Sequence, residues 1–250
     1  MTNKLTLVKA DARIQRCAIN DPFSRYKPES ERSFRGFKIK ETEILKRVKN
    51  RFKRFRFSKC LWVENYVDVF NSIKSIKCTS FHITAFSIAL SELQCEEAFS
   101  QKAGLFLSAL INNSKEKNFI IITKHFGEAI DHIGFRNTKN ITIQVNAGSN
   151  VGFEMERGSI TVNGNAMSEV GREMNGGSII VNGNIDGLVG WGMKNGTVTV
   201  KGNAGIPVGY KMNGGTIFLE GSYKLLAEEI RGGNIFHKGK QIVKDGKRLI

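Results

Sequence analysis

A chain of 250 residues with 40% hydrophobic content and a mean hydropathy of -0.24 holds enough apolar material for a core in one or two domains, which argues against a disordered chain. No stretch approaches the roughly 20 apolar residues of a membrane span, and the start Met1-Thr2-Asn3-Lys4 has no apolar run, so a cytoplasmic protein without a membrane span is expected. The net charge of +15 favours an anionic partner, and it is concentrated: residues 1–59 carry 18 Lys and Arg against 6 Asp and Glu, while residues 146–239 carry 8 of each.

Residues 1–59 read as a basic N-terminal arm ending in an amphipathic helix. On a helix, Ile44, Leu45, Val48, Phe52 and Phe55 share one face, Glu41 and Glu43 fall in the first turn, and cations fill the remainder. Arg32, Arg35, Lys46, Arg47, Lys49, Arg51, Lys53, Arg54 and Arg56 are therefore candidate nucleic-acid-binding residues, because each Lys or Arg contact to a phosphate releases counterions. A membrane-surface helix, a helix for an acidic protein and a merely solvated charged face have the same composition.

Residues 60–140 read as an α/β or α-helical capping domain. Ile83, Phe86, Leu90 and Leu93 give one helical face; Phe99, Ala103, Phe106 and Leu110 give another, ended by Asn112-Asn113-Ser114. Phe119 to Thr123 then predicts a buried strand leading into the next region. The four cysteines, Cys17, Cys60, Cys78 and Cys95, form no C-x-x-C pair, which suits reduced, buried thiols better than a disulfide framework or a metal site.

Residues 141–250 carry an internal repeat. Val151-Gly152, Val170-Gly171, Val189-Gly190 and Val208-Gly209 recur with a constant step of 19 residues, and Met155, Met174, Met193 and Met212 keep the same step. So do the columns beginning at Gly158, Ile160, Val162 and Gly164. Segments such as Ser159-Ile160-Thr161-Val162-Asn163 alternate apolar and polar, as a strand with one inward face does. Repeats of this length stack as the coils of a right-handed parallel β-helix, with glycines at the corners supplying positive φ and Asn165, Asn184 and Asn203 forming a side-chain amide ladder. Four coils leave open strand edges. The capping domain is expected to cover one end, and Tyr223 to Ile230, which breaks the period before Ile235-Phe236-His237, the other.

The text Val170-Gly171-Arg172-Glu173-Met174-Asn175-Gly176-Gly177, followed by Ile179-Ile180-Val181-Asn182-Gly183-Asn184, resembles the GXGXG β-helix domain shared by the C-terminal region of the glutamate synthase large chain and one of the chains of tungsten- or molybdenum-dependent formylmethanofuran dehydrogenase. The likeness covers about 110 residues, including the run-in Asp131-His132-Ile133-Gly134-Phe135-Arg136-Asn137. It implies a structural element or a contact surface between chains, the flavin, iron–sulfur and molybdopterin chemistry of those enzymes lying elsewhere.

No catalytic constellation is legible. His82, His125, His132 and His237 have no metal-ligand spacing, no G-x-S-x-G is present, and Gly190-Trp191-Gly192 is explained by the repeat except at Gly192. Glu128, Asp131 and His132 suit hydrogen-bonded structure better than an acid–base pair. One surface column stands out: Phe153, Arg172, Trp191 and Tyr210 occupy one place on successive coils, and outward they would form a ring-and-guanidinium stack for a partner or for themselves. The expected function is a non-catalytic scaffold, with no cofactor or metal, that docks on RNA or a ribonucleoprotein such as the ribosome. The alternative is a structural or assembly subunit of a redox complex. On either reading a protein partner or a second copy is expected to be held through the β-helix or its ends.

Overall fold

A computed structural model describes residues 41–58 and 61–249. Arg32, Arg35, Cys17 and Cys60 lie outside the described residues. Among the described residues the first elements are four helices: α1 (Glu43–Arg54), α2 (Trp62–Ile73), α3 (Ser80–Ala89), prolonged by a 3-10 turn over Leu90–Leu93, and α4 (Phe99–Asn113). Glu43 in the first turn of α1 and Arg51, Lys53 and Arg54 in its last turn all complement the helix dipole. Its apolar stripe, Leu45, Val48 and Phe52, is buried. The Phe52 ring meets Phe86, Phe99 and Phe106 edge-on at centroid distances of 6.0, 6.4 and 5.1 Å, and the Lys102 ammonium sits 4.5 Å above it. From Glu43 onward the basic segment is thus part of a helical bundle.

Asn65 fixes the approach to α2: its amide donates to the Ser58 carbonyl at 2.6 Å and accepts from the Ser58 N–H at 3.1 Å. Thr79 and His82 close the start of α3 reciprocally, the hydroxyl accepting from the His82 N–H and the imidazole Nδ1 from the Thr79 N–H. Helix α4 is buried on nearly every side, because it separates the bundle from the β-region. Its second face is the stripe Ser100, Gly104, Ser108. Ser100 Oγ donates to the Ala129 carbonyl, Ser108 Oγ donates to the His132 carbonyl, and Ser108 Oγ accepts from the Gly134 N–H. A Cβ at Gly104 would lie 1.6 Å from the Asp131 carbonyl oxygen, so only glycine lets α4 come this close.

The β-region is a parallel solenoid of about six turns over residues 118–237. One wall is a nine-stranded sheet of β1 (Asn118–Ile121), β2 (Asn140–Ile143), β3 (Ser159–Val162), β5 (Ser178–Val181), β7 (Thr197–Val200), β8 (Asn213–Leu219), β9 (Gly232–His237), β10 (Lys240–Lys244) and β11 (Lys247–Arg248), in that order. A second wall holds β4 (Ala166–Ser168) and β6 (Ile185–Gly187), extended by single bridges at Ala147, Ala204 and Tyr223. Ile141, Ile160, Ile179, Val198, Ile217 and Ile235 are in register, so these side chains stack through the interior with the fully buried Met155, Met174, Met193 and Met212.

Thr84 on α3 covers the β1 edge, donating to the Ile120 carbonyl at 2.8 Å. The opposite end differs from expectation. Tyr223 to Ile230 stays within the last coil, bridged to Ala204 and Val208, and the chain reverses only beyond it. Strand β10 runs antiparallel to β9, and the two-residue β11 leaves a short edge of Lys247 and Arg248, which resists further strand addition.

Two details of the corners are also corrected. The asparagines do not pair amide to amide: Oδ1 of Asn146, Asn165, Asn184 and Asn203 accepts the backbone N–H of residue 165, 184, 203 or 222 on the next coil at 2.8–3.0 Å. The glycines after Asn163 and Asn182 are not left-handed. Gly183 is glycine because a Cβ there would meet Asn165 Oδ1 at 2.3 Å and the Gly164 backbone at 2.7 Å. Gly183→Ala is therefore expected to destabilise the protein by about 1–3 kcal/mol through overpacking, and an unchanged melting temperature would refute this role. Of the two cysteines among the described residues, Cys78 is free and buried whereas Cys95 is disulfide-bonded. The expectation of uniformly reduced thiols is wrong, and with it goes one support for a reducing compartment.

Candidate nucleic-acid interface and ring column

The side of α1 opposite Leu45, Val48 and Phe52 is made of Lys46, Arg47, Arg51, Lys53 and Arg54, all exposed, and the exposed Arg56 follows the end of the helix. None of these six forms an ion pair among the described residues. Lys49 is different. Lying toward the bundle with its side chain 15% exposed, it reaches Glu92 at 2.6 Å, so its charge is committed within the protein. The remaining cations stand on one turn-by-turn array held rigid from below, which suits a row of phosphates rather than one small anion. Since the apolar face of α1 is already filled by Phe86, Phe99 and Phe106, insertion into lipid would require the helix to leave the bundle.

The column on the solenoid exists, with one correction of exposure. Phe153 is buried, packed edge-on against Phe135 at 5.0 Å. The Arg172 guanidinium lies between the rings of Phe153 (5.1 Å) and Trp191 (4.0 Å), and Trp191 is followed by Tyr210 at 5.9 Å. Tyr66 of α2 continues the stack beyond Phe135 at 4.8 Å. The capping helices thus cover its first members, and only Arg172, Trp191 and Tyr210 remain half-exposed. No family model matches the chain, and no curated protein sequence does either. The fold and its surfaces accordingly stand on the chain's own geometry.

Residues 128–132 do not assemble an acid–base pair. The Asp131 carboxylate accepts from the Ser149 N–H at 2.7 Å and from the Gln101 amide at 3.0 Å, while burial raises its pKa. Glu128 is exposed. His132 is 3% exposed, its Nδ1 has no hydrogen-bond partner among the described residues, and its ring lies 4.4 Å from that of Trp62. Burial, aided by the Arg172 charge, lowers its pKa to about 4.

Above pH 6.5 this imidazole is neutral in both folded and unfolded chains. Between 6.5 and 4 the unfolded chain takes up a proton that the native chain refuses, so stability falls as pH falls. From pH 7 to pH 5 the loss is about 2 kcal/mol. Because His132 has a φ of 57°, asparagine is the replacement that tolerates the site. Urea midpoints of the native chain and His132→Asn should therefore diverge as the pH is lowered. Equal losses in both would rule out a buried neutral His132.

Gly192, unexplained by the sequence repeat, has a φ of 63° and occupies the left-handed column also held by Arg136, Glu154, Glu173 and Lys211. It is a corner residue rather than part of a nucleotide loop. That column, and the small stripe on α4, escape sequence reasoning because neither carries a hydrophobic signal. The spacing Ser100-x-x-x-Gly104-x-x-x-Ser108 is the available clue to the stripe.

Proposed function

We propose that the protein is a non-catalytic adaptor that docks on RNA or a ribonucleoprotein through α1 and presents the solenoid as a rigid body. The observation that carries this reading is the array of Lys46, Arg47, Arg51, Lys53 and Arg54 opposite the packed face of α1, without ion-pair partners among the described residues. Backbone phosphates match such an array through charge alone, giving binding with little sequence preference. No helix among the described residues is long and apolar enough to cross a membrane. The test is the binding of single-stranded RNA to the native chain and to a variant with glutamine at these five positions. Equal binding by both would overturn the proposal.

A second reading, a subunit that hands the solenoid to a protein partner in a redox complex, is favoured by one observation. Ile206 and Leu225, on successive coils, are exposed to 53% and 52%. Isolated apolar residues are common on surfaces, whereas grouped ones mark contacts. Co-purification with a flavin, iron–sulfur or molybdopterin protein would establish that reading in place of the first.

A further inference from the structure

Between α2, the end of α4 and the first coils lies a cleft of about 360 Å³, walled by Tyr66, Phe70, Val67, Asn112, Arg136 and Glu156. Small-molecule sites span about 300–1,000 Å³. Arg136 is fixed at the wall by its Nε, which donates to Glu154 at 2.7 Å, and by its position 5.5 Å from the Phe135 ring. Its two terminal nitrogens have no partner among the described residues. The Tyr66 hydroxyl accepts from the Asn112 amide at 2.9 Å, so its own proton also lacks an acceptor there. Glu156 is exposed and makes no ion pair among the described residues. Burial raises the Tyr66 pKa, while Arg136 lowers it and Glu156 raises it, so both charges are within electrostatic reach of the phenol.

The cleft therefore offers one fixed cation, one unspent hydroxyl donor and one free carboxylate, flanked by aromatic surface. A simple anion would be repelled by Glu156, and a simple cation by Arg136. A peptide terminus carries one of the two charges, not both on neighbouring atoms. We propose that this cleft binds a small amino-carboxylate zwitterion with an aromatic side chain. Its carboxylate would meet the terminal nitrogens of Arg136 and the Tyr66 hydroxyl, its ammonium Glu156, and its ring Phe70 and Val67. End-on pairing of a guanidinium with a carboxylate uses two parallel hydrogen bonds, which also orients the ligand.

Saturation-transfer NMR on the full chain, with L-phenylalanine, phenylacetate and phenethylamine as probes, tests this. The amino acid carries both charges and each of the other probes carries one. L-phenylalanine is expected to bind about tenfold more tightly than either half-probe, the share of one charge-assisted contact. Arg136→Gln should abolish its binding. Because Arg136 also supports Glu154, the deciding variant is Glu156→Gln at an exposed position. It should bring L-phenylalanine down to the affinity of phenylacetate. Absence of binding to the native chain, equal binding of the three probes, or an unchanged preference in Glu156→Gln would each overturn the proposal.

Discussion

Phe52→Ala is expected to lower the stability of the helical bundle by about 3–5 kcal/mol, the usual range for emptying a phenylalanine site in a core. Phe52 is fully buried and is the common neighbour of Phe86, Phe99 and Phe106, which belong to α3 and α4. The remaining buried contacts of α1, Leu45 and Val48, are aliphatic and smaller. Truncating Phe52 also takes the apolar support from beneath the Lys102 ammonium, which is buried and paired with Glu96 at 3.4 Å. The solenoid strands, stacked by their own backbone ladders and Met and Ile columns, make no use of Phe52. Hydrogen exchange should therefore show lost protection over α1 and retained protection over β3, β5 and β7. Unaltered protection of α1 would mean that it is not anchored by this ring.

The five glutamine substitutions at Lys46, Arg47, Arg51, Lys53 and Arg54 are expected to weaken RNA binding by about 10²–10³-fold at physiological salt. Each phosphate contact on a single strand contributes roughly 0.7 of a power in salt concentration, so five contacts together account for about three powers of ten near 0.15 M. Stability should change little, because exposed positions away from packed features rarely matter by more than about 0.5 kcal/mol each. Glutamine keeps helix propensity, and unlike glutamate it places no negative charge at the C-terminal end of the dipole. A second variant, Lys49→Gln, separates the committed cation from the free ones. It breaks the pair with Glu92 and should leave RNA affinity within about threefold of the native chain, while the five-position variant loses nearly all of it.

Much of the solenoid is legible in the sequence because stacking forces equivalent residues into columns, and several columns at one spacing admit a single register. The ends are less legible for the same reason. Strand β1 pairs with β2 through Asn118 and Asn140, and β9 pairs with β8 through Ile235 and Ile217, so both fall outside the regular step. Residues 223–230 look like a separate cap in the sequence, since a coil shortened by one residue breaks the pattern there. Helix α2 is hidden because Leu61 provides no side-chain cap and a buried face containing Asn65 and Tyr66 does not read as apolar.

The candidate sites divide in a similar way. Charge and amphipathic spacing mark α1, yet the withdrawal of Lys49 depends on Glu92, 43 positions away. The ring column is visible from its period. That Phe153 is covered depends on Phe135 and, through it, on Tyr66 of a distant helix. The cleft beside Arg136 has no sequence signature at all, because its walls come from α2, α4 and two coils. The corner glycines show that one residue type can answer two demands: Gly158 supplies a positive φ of 80°, while Gly183 makes room for a neighbour's carboxamide.

The central claim, that α1 docks the protein on RNA phosphates, is tested most directly by titrating salt against the affinity of the native chain for a single-stranded RNA. Five or six phosphate contacts predict a logarithmic slope of about -3.5 to -4.2, shrinking toward zero in the five-position glutamine variant. A native slope near zero, or one that the glutamine variant retains, would contradict the claim.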